Sequence, residues 1–417
     1  MSRYSMNTEQ KALLERELQR FEQFKTMGLK LDMSRGKPCK EQLDLSMGLF
    51  DVLTSKSNLI INKNDYRNYG ILSGIPEIKA IFCELTGYAD EEMVVAGNSS
   101  LNLMYDTLQR AMQFGVAGGE PLNKQGRIKW LCPVPGYDRH FAITELMGIE
   151  MINVPMTDEG PDVAVIEELV KDPAVKGMWC VPKYSNPQGI VYSDRAVKAL
   201  ASLKPAASDF RIYWDNAYMV HAITDEGDEL TDILTEAKKA GNPDIVYIFG
   251  STSKITFAGG GVAFVASSKR NIDDILSKMT FQTIGPDKIS QLAHALFFKN
   301  ADGIRDIMAK HKDILAPKFE TVLKILEEEL SDIAVWQKPR GGYFISVDLP
   351  NGTAKRTVAL AKEAGVIFTP AGATFPYRKD PKDSNLRIAP SLPPIGELET
   401  AMRVFCCAAK IAYLEKQ

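Results

Sequence analysis

From about residue 78 the chain alternates short apolar segments with longer segments whose apolar residues recur at helical spacing. The short segments have the length of buried strands, and helical patterns lie between most of them. Strands and helices that alternate in this way form a mostly parallel sheet covered by helices on both faces. The sequence therefore predicts a large α/β domain with strands at 93–96, 128–132, 151–154, 178–181, 212–214, 245–249 and 262–266.

The pattern changes after Gly285-Pro286, where a long charged helix is predicted over about 304–330. Strands are predicted at 342–349, 366–369 and 386–389, with helices near 358–363 and from about 395. Apolar residues at helical spacing also predict a helix within the first thirty residues. We expect a large domain over 61–300 and a smaller α+β domain built from the segments 1–60 and 301–417.

Composition narrows the classes of function. The net charge of -3 gives no electrostatic reason to expect a nucleic-acid or membrane partner. No apolar segment is long enough to cross a bilayer, and Met1-Ser2-Arg3-Tyr4-Ser5 lacks the apolar region of a signal peptide. The six cysteines have no metal-ligand spacing and the four histidines are scattered, so no metal site is predicted. These features favour a cytoplasmic protein.

Polar clusters follow several of the predicted strands. Ligands of open parallel sheets collect at the carboxyl ends of strands, so these clusters are candidate site residues. Gly97-Asn98-Ser99-Ser100 opens a helix, where backbone N–H groups bind phosphate, although a simple helix cap is the commoner use of such residues. Pro135-Gly136-Tyr137-Asp138 and Ser185-Asn186-Pro187-Gln188-Gly189 follow two further strands, and the second is first of all a turn signal.

Two clusters carry the clearest chemistry. Lys254 lies in the small-residue turn Ser251-Thr252-Ser253-Lys254 after one apolar strand, and Asp215 ends another. Burial lowers the pKa of a lysine, as a Schiff-base lysine requires. A nearby aspartate keeps a pyridine nitrogen protonated, so that the ring can accept electrons. The pair suits pyridoxal 5'-phosphate, held by Lys254 in the large domain.

The ordered series of clusters resembles the class I and II aminotransferases, the aspartate aminotransferase-like branch of fold-type I pyridoxal phosphate enzymes. The resemblance extends from about Leu31 to the C-terminus. It implies catalytic roles for Lys254, which forms the internal aldimine, for Asp215 and for Tyr218. For the cofactor it implies the following contacts: Asn186 and Tyr218 at the phenolate oxygen, Tyr137 on the ring, Ser99, Ser100, Ser251 and Ser253 around the phosphate, and Tyr69 at the phosphate of the neighbouring subunit.

The resemblance also implies a substrate site. Arg387 matches the arginine that binds the substrate α-carboxylate, a task that suits its planar guanidinium. Gly36 matches a glycine beside the bound substrate, and Asn186 is expected there too. Tyr69 and the segment Thr283-Ile284-Gly285 imply a homodimer in which each site is completed by both subunits.

One position departs from the family. The family usually has an arginine eight residues after the lysine, and here that position is Val262, preceded by Gly259-Gly260-Gly261. The phosphate must then rely on backbone amides, hydroxyls and a basic residue that the sequence does not identify. This loop, with Ser34-Arg35-Gly36-Lys37-Pro38, is similar to a divergent bacterial subgroup of aspartate aminotransferases, often filed with MocR-like aminotransferases.

The expected reaction is transamination of an L-amino acid, with L-aspartate as donor and 2-oxoglutarate as amino acceptor. Arg387 accounts for one carboxylate only, and a buried unpaired carboxylate is costly, so a dicarboxylate needs a second cation. Arg35 and Lys37 flank Gly36 and are the first candidates, with Arg139 and Lys183 in reserve. For Arg35 and Lys37, solvated loop charges are the competing interpretation.

Other functions remain open on this sequence. The same fold hosts pyridoxal phosphate lyases and aminotransferases for other amino acids. A non-catalytic effector-binding module of a MocR-type regulator would need a basic DNA-binding domain before residue 30, which we do not find. A dinucleotide-binding dehydrogenase is disfavoured because no G-x-G-x-x-G follows a first strand.

Overall fold

The computed structural model describes residues 6–417. Met1–Ser5, on which the signal-peptide prediction rests, lies outside the described residues. The strands are β1 (Leu31–Asp32), β2 (Ile60–Ile61), β3 (Asn64–Asp65), β4 (Met93–Val95), β5 (Lys129–Val134), β6 (Glu150–Thr157), β7 (Gly160–Pro161), β8 (Val175–Cys180), β9 (Arg211–Asp215), β10 (Val246–Ser251), β11 (Ala263–Ala266), β12 (Val335–Trp336), β13 (Ile345–Asp348), β14 (Val366–Ile367) and β15 (Asn385–Ile388).

Helices connect most of these strands. The α-helices are α1 (Thr8–Thr26), α2 (Lys40–Asp44), α3 (Pro76–Thr86), α4 (Ser100–Phe114), α5 (Asp138–Leu146), α6 (Val163–Leu169), α7 (Asp194–Ala201), α8 (Ile233–Lys239), α9 (Lys269–Met279), α10 (Lys288–Phe298), α11 (Ala301–Leu330), α12 (Ala354–Glu363) and α13 (Ile395–Leu414). None of them, over the residues described, is both long and apolar enough to span a membrane.

The largest sheet has eight strands in the order β4-β11-β10-β9-β8-β5-β6-β7. Its centre is parallel: β10 pairs with β9, β9 with β8, β8 with β5 and β5 with β6 in the same direction. β11 runs antiparallel to both of its neighbours, β10 and β4, and the edge strand β7 runs antiparallel to β6. The predicted α/β fold with a mostly parallel sheet is therefore confirmed.

Side chains of the central strands alternate between two apolar layers, because successive residues of a strand point to opposite faces. On β9, Ile212 and Trp214 join one buried cluster and Tyr213 joins the other. On β10, Ile248 and Phe249 divide in the same way. Both faces are covered, which explains why these strands appear in the sequence as continuous apolar runs rather than as alternating patterns.

The N-terminal and C-terminal segments pack together in a third apolar cluster. It includes Phe21 of α1, Phe319 of α11 and Phe405 of α13, and it surrounds the three-stranded sheet β12-β13-β15. Strand β1 pairs in parallel with β14, which ties the segment after α1 to the C-terminal part of the chain. This packing agrees with a small domain made from both ends of the chain, and its boundaries at 60 and 300 stay a prediction.

Candidate active site

A cavity of about 430 Å³ opens where β9 and β10 end. Every site residue predicted from the sequence except Tyr69 lines it. The lining residues used below are Ser34, Arg35, Gly36, Lys37, Ser99, Ser100, Tyr137, Asp138, Arg139, Asn186, Asp215, Tyr218, Ser251, Ser253, Lys254, Phe344 and Arg387. Residues separated by up to 353 positions in the chain thus meet at the carboxyl edge of the parallel strands, where such sheets bind ligands.

Asp215 is the last residue of β9 and is buried. Its Oδ2 lies 3.1 Å from Nε2 of His140, whose ring stacks on Trp179 with centroids 4.4 Å apart. Its Oδ1 is buried and has no hydrogen-bond partner among the described residues. A buried carboxylate oxygen without a donor is costly, so this site is suited to a ligand that brings an N–H group.

Sequence reasoning missed the role of His140. It lies in α5, three residues after Tyr137, and is buried between Asp215 and Trp179. The indole of Trp179 donates to Thr144 Oγ1 at 2.8 Å, and this hydroxyl in turn donates to the carbonyl oxygen of His140. This network fixes the orientation of the Asp215 carboxylate. The signal in the sequence was a histidine one turn into the helix that follows a polar cluster.

Lys254 follows β10 and is partly buried. Its Nζ lies 4.9 Å from the centre of the Tyr218 ring and forms no ion pair with residues 6–417. Burial lowers the pKa of the Lys254 amine, and the negative charge of Asp215 opposes this shift. An amine with a lowered pKa, held in a cavity beside a carboxylate, has the properties of a lysine that reacts with an aldehyde.

Two buried histidines form hydrogen bonds to the residues that directly follow Lys254. His311 Nε2 lies 3.0 Å from the carbonyl oxygen of Ile255, and its Nδ1 lies 2.8 Å from Nε2 of Gln42. On the other side, His294 Nε2 lies 2.9 Å from Oγ1 of Thr256. Burial lowers the pKa of His311 to about 4 and also lowers that of His294. Both imidazoles are therefore neutral near pH 7 and act as hydrogen-bonding groups.

The hydroxyl of Tyr343 lies within 3.5 Å of the Lys254 carbonyl oxygen and accepts a hydrogen bond from Gln42. His221 lies edge-on to the rings of Tyr218 and Tyr343. Both of its ring nitrogens are buried without a partner, and burial holds its pKa well below the usual range. With His140, His294 and His311, all four histidines of the chain lie at this end of the sheet.

Arg387, on β15, faces the cavity although its side chain is buried. Its Nη1 donates to Asp138 Oδ1 at 2.8 Å and to Asn186 Oδ1 at 3.1 Å, and the guanidinium lies 4.7 Å from the Phe344 ring centre. Gly36 packs against Phe344, the ring that lies beside the Arg387 guanidinium. A Cβ at position 36 would approach Phe344 Cζ to 2.6 Å. The close approach requires glycine at position 36.

Hydroxyl groups collect at the start of α4. Ser99 is the N-cap residue before Ser100, and its side chain makes no capping hydrogen bond, which leaves the hydroxyl available to a ligand. Ser251 Oγ donates to Ser253 Oγ at 3.0 Å, and Ser253 Oγ donates to the Asn98 carbonyl oxygen at 3.0 Å. Free backbone N–H groups and hydroxyls at a helix N-terminus suit a phosphate.

Val262 occupies the position at which the family usually has an arginine, and its apolar side chain cannot bind a phosphate. Its side chain is buried in an apolar cluster, and its N–H donates to Thr252 Oγ1 at 2.9 Å. Tyr69 is 80% exposed and does not line the cavity of its own chain. Its expected role toward a neighbouring subunit stays a prediction.

Three cations line the mouth of the cavity: Arg35, Lys37 and Arg139. All three are exposed, and none forms an ion pair with any residue that the structure describes. The reserve candidate Lys183 is not among them, because its Nζ donates to the Met219 carbonyl oxygen at 3.0 Å beside a separate cavity.

Comparison with known proteins agrees with this geometry. The model of a family described as aspartate amino-transferase matches residues 6–417. An aspartate aminotransferase of Corynebacterium glutamicum is 48% identical over 386 residues, which are 92% of this chain and 89% of that protein. A crystal structure of an aspartate transaminase from the same species has a TM-score of 0.96 at 46% identity and covers 99% of this chain and 98% of its own.

A more distant structure shows the same fold. It is the α-aminoadipate aminotransferase LysN of Thermus thermophilus, complexed with N-(5'-phosphopyridoxyl)-L-leucine. The TM-score is 0.76 at 20% identity, over 96% of this chain and 95% of that chain.

Proposed function

This chain belongs to the aspartate aminotransferase family and is an aminotransferase, and we propose that it transfers the amino group of L-aspartate to 2-oxoglutarate with pyridoxal 5'-phosphate bound at Lys254. The observation that carries the proposal is the pair at the strand ends: an amine with a lowered pKa at Lys254 and the unpartnered buried Oδ1 of Asp215, lining one cavity.

The residues present fit the cofactor. Asp215 Oδ1 accepts the N–H of a protonated pyridine, which supplies the missing partner of this oxygen. The serines at the start of α4 and after β10 surround a phosphate, and Tyr137 provides an aromatic face. Asn186 and Tyr218 line the same cavity and would donate to the phenolate oxygen of the cofactor. When bound, pyridoxal phosphate supplies an electron sink for the bond broken at the substrate Cα.

Proton transfer falls to Lys254. With the cofactor and substrate bound, Nζ of Lys254 would take up the proton from the substrate Cα as a general base and hold it for return as a general acid. Burial lowers the pKa of this amine, which favours the neutral form that proton transfer requires. Asp215, oriented by His140, would keep the pyridine nitrogen of the cofactor protonated.

Arg387 binds the substrate α-carboxylate. In the structure its Nη1 is paired with Asp138, which is partly exposed, so an incoming carboxylate competes with that side chain for the guanidinium. The unpaired charges of Arg35, Lys37 and Arg139 at the cavity mouth favour a substrate with a second carboxylate, which supports aspartate and 2-oxoglutarate.

We also propose the homodimer. Tyr69, Phe281 and Ile284 are large apolar side chains that are each more than 60% exposed in the single chain, and a partner subunit that covers them would remove their apolar surface from water. Mixing Lys254→Ala with Tyr69→Ala subunits tests whether sites are shared. Shared sites predict recovery of activity, because one site of each mixed dimer would contain neither change; absence of recovery in proven mixed dimers would contradict sharing.

The test of the main proposal uses the purified holoenzyme. Its absorbance should contain a visible band that bleaches with L-aspartate and returns with 2-oxoglutarate. Borohydride reduction and peptide mapping should place the cofactor on Lys254, and a label on another lysine would contradict the assignment. A lyase would instead release ammonia or carbon dioxide from the amino acid without needing an oxo acid.

A further inference from the structure

A second polar cavity, of about 550 Å³, lies at the opposite edge of the large sheet. It is bounded by the amino ends of β8 and β9, by the loop after α4 and by the first turn of α9. Arg211 opens β9 and Asp215 closes it, so about 13 Å of extended strand separate the two residues. None of the residues assigned to the active site lines this second cavity.

Arg211 lines the cavity and is 5% exposed. Its Nη1 donates to the carbonyl oxygens of Ser208 and Phe210, at 3.1 and 2.8 Å. Its Nε is buried without an acceptor, and no carboxylate of residues 6–417 lies within 4.0 Å of the guanidinium. A buried charge without a counter-charge is costly, and most proteins pair such a group or use it to bind an anion.

The acidic side chains nearby are already engaged. Asp209 accepts from Lys176 at 2.9 Å and from Gln125 at 2.8 Å, one bond to each carboxylate oxygen. Arg270, which also lines the cavity, pairs with Asp244 at 3.0 Å. Glu120 is exposed at the edge of the cavity and forms no ion pair among the described residues. These pairs leave the charge of Arg211 uncompensated.

A second buried arginine adds to the positive potential. Arg110 on α4 is 9% exposed, has no carboxylate within 4.0 Å among residues 6–417, and has an Nε without an acceptor. Both guanidinium groups act on the buried Tyr247, and Arg211 opposes the rise that burial causes in its pKa, which reaches about 12. Asp274 is the acidic group that acts on the pKa of Tyr247, and it is paired with Lys278 at 2.7 Å.

We propose that this cavity is a second binding site, which takes a small molecule with a phosphate or carboxylate group on Arg211. Such an oxyanion supplies the counter-charge and accepts from Nη2, because both backbone carbonyls accept from Nη1. The cavity has the size of a small metabolite rather than of a single ion, and its lining of glycines, serine and backbone groups suits a polar ligand.

The test measures binding of inorganic phosphate and, separately, of succinate to the holoenzyme by calorimetry and by the shift in thermal midpoint. Four proteins are compared: wild type, Arg211→Met, Arg387→Met and Arg127→Met. Arg387→Met removes the guanidinium that is proposed to bind the α-carboxylate at the active site, and Arg127 is an exposed surface control paired with Glu150. The proposal expects at least one anion to bind wild type, Arg387→Met and Arg127→Met, and about tenfold weaker binding or none in Arg211→Met.

A second variant guards against poor folding of Arg211→Met. Ser208 is exposed, and its carbonyl oxygen already accepts from Arg211. Ser208→Glu places a carboxylate of the protein beside the guanidinium, so we expect a higher thermal midpoint and loss of the anion response. Binding that survives both Arg211→Met and Ser208→Glu, or no binding of either anion to Arg387→Met, would overturn the proposal. Neither result bears on the cofactor at Lys254.

Discussion

Each end of the large sheet holds a buried charged group, and the two groups are held in place by different kinds of contact. Each end has a cavity and a buried charged group with an unpartnered atom, Oδ1 of Asp215 at one end and Nε of Arg211 at the other. Asp215 is oriented by another side chain, His140, whereas Arg211 is held by backbone carbonyl oxygens. A site built from side chains leaves a pattern in the sequence, and a site built from backbone leaves none.

The largest expected effect is on the carboxyl-end cavity. Lys254→Ala should lower kcat by about 10²–10⁴-fold or more, because it removes the group that moves the proton. Stability should hold or rise, because the buried amine has no ion pair to lose. Lys183→Ala is the matched control: its amine also has a pKa lowered by burial but lies beside another cavity. Equal losses in the two variants, measured by steady-state kinetics, would contradict the assignment.

Asp215→Asn and Asp209→Asn compare one residue type at the two ends. Asp215→Asn should cost about 10²–10³-fold in kcat, since the amide cannot hold a proton on the pyridine nitrogen. Asp209→Asn should leave kcat unchanged but cost about 3 kcal/mol of unfolding free energy by breaking the pair with Lys176. Steady-state kinetics measures the change in kcat of both variants, and denaturant unfolding measures the change in their unfolding free energy. A loss of kcat in Asp209→Asn would remove the contrast.

The pH dependence of stability should also differ between the ends, because all four histidines lie around the Lys254 and Asp215 residues. His311 is neutral in the folded protein down to about pH 4, whereas unfolded histidine binds a proton below about 6.5. The unfolded state therefore gains protons first as the pH falls, and stability is lost between about 6.5 and 4.

For His311 alone the loss amounts to about 3 kcal/mol over this range. His311→Gln keeps one hydrogen bond to the turn and cannot protonate, so its unfolding free energy should fall less steeply below pH 6.5 than that of wild type. Denaturant unfolding at a series of pH values measures both curves. Parallel curves would mean that His311 binds its proton at the same pH in the folded and unfolded states, so that folding does not lower its pKa.

The contrast between side-chain contacts at one end and backbone contacts at the other also explains how much of the structure the sequence predicts. The parallel sheet and the side chains at its carboxyl edge were predictable, since continuous apolar runs that alternate with helical patterns, and polar residues after strands, are local signals, as at Asp215 and Lys254. The brace behind Lys254 was not, because Gln42 and His311 are 269 residues apart and only the tertiary fold joins them. Nor was Arg211, which the sequence presents as one charge at the start of an apolar strand.

The smallest expected effect concerns the cavity mouth. Arg35 and Lys37 are exposed, so water screens each charge, and loss of one should change kcat/KM for aspartate by about fivefold or less. The Arg35→Ala/Lys37→Ala double variant should lose more for aspartate than for alanine, and the difference should shrink as salt is added. Lys40→Ala is the control, since Lys40 is exposed on the same segment but pairs with Asp44 outside the cavity.

The kinetic split between the two substrates decides what these cations do. If the double variant loses as much activity with alanine as with aspartate, the segment positions Gly36 and Phe344 rather than binding a distal carboxylate. If it loses nothing with either, Arg139 remains as the lining cation to change. A selective loss with aspartate instead implies that exposed charges become desolvated when substrate fills the cavity, because only then are they worth more than a surface pair. Arg35 and Lys37 would then resemble Arg211 at the other end of the sheet, because in each case the ligand supplies the counter-charge of the cation.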